Sequence, residues 1–271
     1  MAHTGLLGVA RGLDRRKKAT ILILLFLICA VAIWTLAPSS QPADFFDLAA
    51  KDNFLGVDNA PDVFTNIPFL IVGWMGCQSL IRDRGGYAGG GEMRIWWVLF
   101  VSIGSVAILS SWYHLSPSEG RIVFDRLPII TVVIAMTTLV AVQSIDVKAT
   151  KLILPLLLLG WSSVVLIFFT GDWRPYIILQ FSPLILIPSV LILYEQGREG
   201  GWQLCTALLL FSVGKIIHDL DTEIHQLTGG ISGHSIWHLF AAAATYQLVK
   251  MHRIQSSQHN EFHEESIQHP Q

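Results

Sequence analysis

Eight apolar runs, most of them close to the length of a membrane-crossing helix, constrain this chain more than any other feature. They cover about 19–37, 63–81, 95–115, 127–145, 152–170, 175–194, 202–217 and 234–250. A helix needs about 20 apolar residues to cross the hydrocarbon core of a bilayer, and only the seventh run is short for that. Charged residues make up 14% of the chain, where a soluble domain has about a quarter, and mean hydropathy is positive. The expected fold is therefore an all-α, polytopic membrane helix bundle. Pro155, Pro183 and Pro188 fall inside runs, but packed membrane helices tolerate proline. The three cysteines all lie in apolar runs and suggest no disulfide framework or Cys-x-x-Cys site. A net charge of −2 carries no sign of a nucleic-acid partner.

The first run follows Arg11, Arg15, Arg16, Lys17 and Lys18. It is long for a cleaved leader and lacks a small-x-small site after it, so residues 1–43 read as a basic N-terminus and a signal-anchor helix. Residues 44–250 read as the main helical domain and 251–271 as a disordered polar tail. Basic residues orient the spans. With the N-terminus in the cytoplasm, 13 of the 18 Lys and Arg face that side. They are the five above, Arg82, Arg84, Arg94, Lys148, Lys151, Arg198, Lys250 and Arg253. This excess agrees with the positive-inside rule for eight spans and puts both termini in the cytoplasm.

The same topology sorts the polar residues. His114 ends the third run on the non-cytoplasmic side, Asp125 precedes the fourth there, and His234 and His238 open the eighth. Ser110 lies one turn before His114. His234 and His238 are four residues apart, so on a helix they share a face. Three imidazoles and a water make the ligand set of a catalytic zinc. Such an ion acidifies water and polarises a carbonyl. Asp125 suits a general acid/base and Ser110 an oxyanion donor. Each residue also has a plainer reading: interfacial histidines, a helix-packing serine, and a solvated Asp125–Arg126 pair. Haem ligation is disfavoured, because an i, i+4 pair cannot reach both sides of a ring. The His-Glu-x-x-His protease motif is absent. A transporter would show inverted repeats and mid-membrane charges, and neither is clear.

Three segments together resemble the alkaline ceramidase family, within the seven-helix membrane hydrolases that include adiponectin-receptor and hemolysin III relatives. They are Ser110-Ser111-Trp112-Tyr113-His114, Phe124-Asp125-Arg126-Leu127-Pro128 and Gly233-His234-Ser235-Ile236-Trp237-His238. Thr65-Asn66-Ile67-Pro68-Phe69 is similar to the family's Ser-Asn segment. The resemblance implies a seven-helix core over 44–250 with one extra N-terminal transmembrane helix. It implies hydrolysis of the amide bond of ceramide-like lipids, with zinc on His114, His234 and His238, Asp125 as acid/base and Ser110 as oxyanion donor. It further implies an acidic calcium site, for which Asp44, Asp47 and Asp58 are the available oxygen ligands. An acidic solvated loop is the alternative. Asp219, in the polar stretch His218-Asp219-Leu220-Asp221 with Glu223 and His225, is either a partner for a ligand histidine or loop polarity. Rival readings on the same scaffold are a lipid esterase and a non-enzymatic receptor with a structural metal.

Overall fold

The structure is a computed structural model and describes residues 10, 12–42, 45, 46, 49, 51–82, 90–194 and 200–268, with side chains to Ser257. The protein is an all-α polytopic bundle, with no strand among the described residues. Its helices are α1 (Arg15–Leu36), α2 (Ala60–Phe64), α3 (Ile67–Arg82), α4 (Gly90–Leu115) and α5 (Glu119–Ser144). After a 3-10 turn at Val147–Leu152 come α6 (Ile153–Thr170), α7 (Arg174–Phe181) and α8 (Pro183–Tyr194). The last are α9 (Gly201–Asp219), α10 (Asp221–Thr228) and α11 (Gly233–Gln268).

Among the described residues, seven helical stretches are long and apolar enough to cross a membrane. They correspond to the first seven runs of the sequence. The eighth expected span, 234–250, is helical as the first part of α11 but is not among them. His234, His238, Gln247 and Lys250 dilute its apolar character. It packs against α9 and α3, where His238 is buried and His234 and Gln247 are half-buried, while Lys250 is exposed.

The chain forms two compact units. The first comprises Met1–Pro42 and Ile130–Arg198. Here α1 lies against α7 and α8 and is tied at both ends. At one end Arg15 Nη2 meets Asp146 Oδ2 at 2.6 Å, and Lys18 Nζ sits 5.3 Å from the centre of the Tyr194 ring. At the other, the Arg174 guanidinium lies 4.2 Å from the Trp34 ring centre, and Trp173 N–H donates to Ser39 O at 2.8 Å. The Lys148 N–H and Arg15 hold the Asp146 carboxyl below its usual range, and Arg174 does the same for Asp172. Between these ties α1 turns Ile23, Leu24, Leu27, Ile28 and Val31 outward, as a lipid-facing helix should.

The second unit comprises Ala43–Ile129 and Glu199–Gln271. In it α3 packs on α4, and α11 packs on α9 and α3. The α3–α4 crossing depends on small residues, as membrane helix contacts often do. A Cβ on Gly73 would stand 2.5 Å from Gly104 N and 2.9 Å from Phe100 O. Both are backbone atoms and cannot rotate aside. Gly73→Ala should therefore push the two helices apart and cost about 1–3 kcal/mol. Thermal unfolding in detergent reads this, and an unchanged midpoint would mean the crossing is not tight.

Asp221–Thr228 is helical, with Asp221 and Glu223 in its first turn where acids favour the helix dipole. One expectation is corrected in this unit. The tail does not lose structure at 251, because α11 runs to Gln268. His252 is buried, 2.9 Å from Ser79 Oγ through Nδ1, with its ring 5.0 Å from that of Trp96. It follows His238 by about four turns and so falls on nearly the same side of α11. The face that carries the histidines simply continues as a packing face.

Candidate metal centre

All the residues of the site belong to the second unit. His114 occupies the last turn of α4 and is 1% exposed. The carbonyls of a final helical turn lack partners within the helix. Asn59 supplies one, donating from Nδ2 to His114 O at 2.7 Å. His234 and His238 stand in the first two turns of α11. Ser232 caps that helix, with Oγ accepting from Ser235 N–H at 3.0 Å, and Asp221 Oδ1 accepts from His234 N–H at 2.7 Å. Gly233 has no room for a side chain, since an added Cβ would meet the Ile217 carbonyl and Asp221 Cα. The start of α11 is thereby pressed onto the end of α9.

These supports bring the three imidazoles together. Ring centres are 4.9 Å apart for His114–His234, 5.0 Å for His114–His238 and 4.6 Å for His234–His238. Each ring offers a nitrogen within 4.8 Å of the other two. Among the described residues this is the group that could hold a metal ion. The closest pair tests the fit. A tetrahedral ion with Zn–N bonds of about 2.0–2.1 Å sets its nitrogens about 3.3 Å apart. His114 Nε2 and His234 Nε2 are 3.2 Å apart. His238 uses Nδ1 toward Thr65 Oγ1 at 3.0 Å, which leaves Nε2 for an ion.

Asp125 and Ser110 are both buried, with the Ser110 side chain beside the Asp125 carboxylate. Arg126 Nε lies 3.5 Å from Asp125 Oδ2. The structure thus sets the expected serine and aspartate side by side, with Ser110 one helical turn before His114 on α4. Asp125 Oδ1 and His114 Nδ1 are enclosed with no hydrogen-bond partner from the protein.

Other expectations fare differently. Asp219 partners a histidine outside the group of three: it is 2.6 Å from Lys215 Nζ and 3.2 Å from His218 Nδ1. His218 itself lies beside the site, its ring centre 4.9 Å from that of His234 and its plane tilted by 54°. Of the suggested calcium ligands, Asp44 and Asp47 lie outside the described residues. Asp58 is exposed, accepts from Asn53 Nδ2 at 2.7 Å in a tight turn, and joins no group of three acids or histidines among the described residues. Sequence reasoning missed Asp62. It is 1% exposed and accepts hydrogen bonds from the hydroxyls of Ser232 and Ser235, which flank His234. An acid next to Pro61 at the mouth of an apolar run is the only signal that could have found it.

Fold and site thus define a multi-pass integral membrane protein with a buried three-histidine group able to hold a metal ion. Compared with protein-family models, curated proteins and solved structures, the chain matches none.

Proposed function

We propose that this protein is a zinc-dependent membrane hydrolase that cleaves the amide bond of ceramide-like sphingolipids, releasing a sphingoid base and a fatty acid. The observation that carries the reading is the trio of imidazoles, one pair of them at the 3.2 Å spacing of ligands to a single ion, with Ser110 one turn before His114 and the enclosed Asp125 beside that serine. The likeness of the three motifs to alkaline ceramidases supports the same substrate class. The basic-residue count supports a site facing the non-cytoplasmic side, with lipid substrate arriving from the bilayer.

His114, His234 and His238 would hold zinc. A zinc ion bound there supplies Lewis acidity toward the scissile carbonyl and lowers the pKa of water. The rest of the chemistry falls to the chain. Asp125 takes a proton from the attacking water and returns it to the leaving nitrogen, so the C–N bond breaks as a C–O bond forms. Arg126 keeps a positive charge beside that carboxylate. The Ser110 hydroxyl, which rests on Asp125, turns to the oxyanion as negative charge develops there. Burial of the trio keeps bulk water from competing.

Purified protein should contain about one zinc per chain and release fatty acid and sphingoid base from ceramide in equal amounts. Zinc without product release favours a receptor with a structural metal. Release from an ester but not from an amide favours an esterase. Absence of both zinc and turnover overturns the reading.

A further inference from the structure

Two of the metal-site helices meet the same short segment, Asn59–Thr65. Asn59 holds the last carbonyl of His114, and Val63 O accepts from Ser111 Oγ at 3.1 Å. Asp62 accepts the hydroxyls of Ser232 and Ser235 at the start of α11. Thr65 Oγ1 meets His238 Nδ1 at 3.0 Å. Nothing in the segment is itself a ligand of the proposed ion.

The Thr65 contact has a direction that can be worked out. A threonine hydroxyl carries one hydrogen. Thr65 Oγ1 is 2.7 Å from Pro61 O, with Asp62 O further away at 3.4 Å. Carbonyl oxygens only accept, so the hydrogen goes to Pro61. Toward His238 the oxygen presents lone pairs alone. His238 Nδ1 must then be the donor, and a neutral imidazole with its hydrogen on Nδ1 has its lone pair on Nε2. The partner of the non-ligating nitrogen sets which nitrogen can bind metal.

We infer that Thr65 is a positioning residue for the metal centre, accepting from His238 Nδ1–H and so fixing the tautomer in which Nε2 is the ligand, with Asp62 anchoring the helix start that carries the ring. The inference rests on the zinc reading above and adds a residue that touches neither metal nor substrate. Thr65→Val keeps the shape and removes the acceptor; Thr65→Ser keeps the acceptor.

The test uses full-length purified protein and zinc alone, titrated against a chromogenic chelator, with cobalt(II) absorption reporting tetrahedral coordination. Loss of a partner of this kind weakens metal binding about 10–100-fold. That is the loss expected for Thr65→Val, while Thr65→Ser stays within about threefold of wild type. A Thr65→Val protein with wild-type zinc affinity and cobalt spectrum overturns the inference and leaves the zinc reading intact. A wild-type protein that takes up no zinc overturns the zinc reading and this inference with it. Should Thr65→Val not fold, nitrogen-15 spectra of histidine-labelled, zinc-stripped wild type decide, with His238 identified by its absence in His238→Gln. A hydrogen on Nδ1 supports the inference, and a hydrogen on Nε2 ends it. A role in packing alone would move the unfolding midpoint and leave the tautomer unchanged.

Discussion

Asp125→Asn should lower ceramide turnover by about 10²–10⁴-fold while the protein keeps its zinc and its fold. The carboxylate is buried beside Ser110 and lies 3.5 Å from Arg126 Nε. Asparagine has nearly the same shape and fits the same enclosed position. What it cannot do is take a proton from water and hand it on. The loss should therefore fall on kcat rather than on substrate binding. Hydrolysis and metal content measured on one preparation separate the two roles open to this residue. Near-normal hydrolysis would remove Asp125 from the mechanism. Joint loss of zinc and fold would make it a structural acid instead.

His238→Ala should lose most of the bound zinc and with it essentially all turnover. On the proposed reading three imidazoles would be the whole protein ligand set, and two with no compensating donor bind far more weakly. The neighbouring His218 supplies the comparison. Its ring is as close to His234 as that of His114, with both ring centres 4.9 Å away. Its Nδ1, however, is engaged with Lys215 and Asp219. His218→Ala should keep the metal. Elemental analysis of both variants reads the outcome. Full occupancy in His238→Ala, or its loss in His218→Ala, would mean the ligand set is misassigned.

Much of this was legible in the order of residues. Apolar runs of membrane length read as helices because the bilayer leaves the backbone little alternative to bonding within its own segment. His234 and His238 share a face because helix geometry puts residues four apart side by side. Both are local consequences of chain chemistry. The eighth run shows where that reasoning stops. Its helix forms and packs on α9 and α3, but it is not among the stretches long and apolar enough to cross a membrane, so counting it as a full span overvalues it. The tail misleads for a related reason. Met251 and His252 look like the start of a polar segment, yet both are buried against other helices.

The sequence by itself determined that this protein is a bundle of membrane helices and that two histidines lie on one helical face. It also nominated His114, Ser110 and Asp125, which the predicted topology puts on the same side as His234 and His238. Only the tertiary structure decided that His114 reaches His234 across 120 positions of chain, and that Thr65 and Asp62 meet α11 across 173 and 170. It likewise turned Asp219 toward Lys215 and His218, away from the ligands. The physical reason is range. Helix formation and facial alignment depend on neighbours within a turn or two. The partner of a short hydroxyl or carboxylate depends on how two helices slide and rotate against each other, and that register is set by packing at contacts such as Gly73 on Gly104 and Gly233 on Ile217.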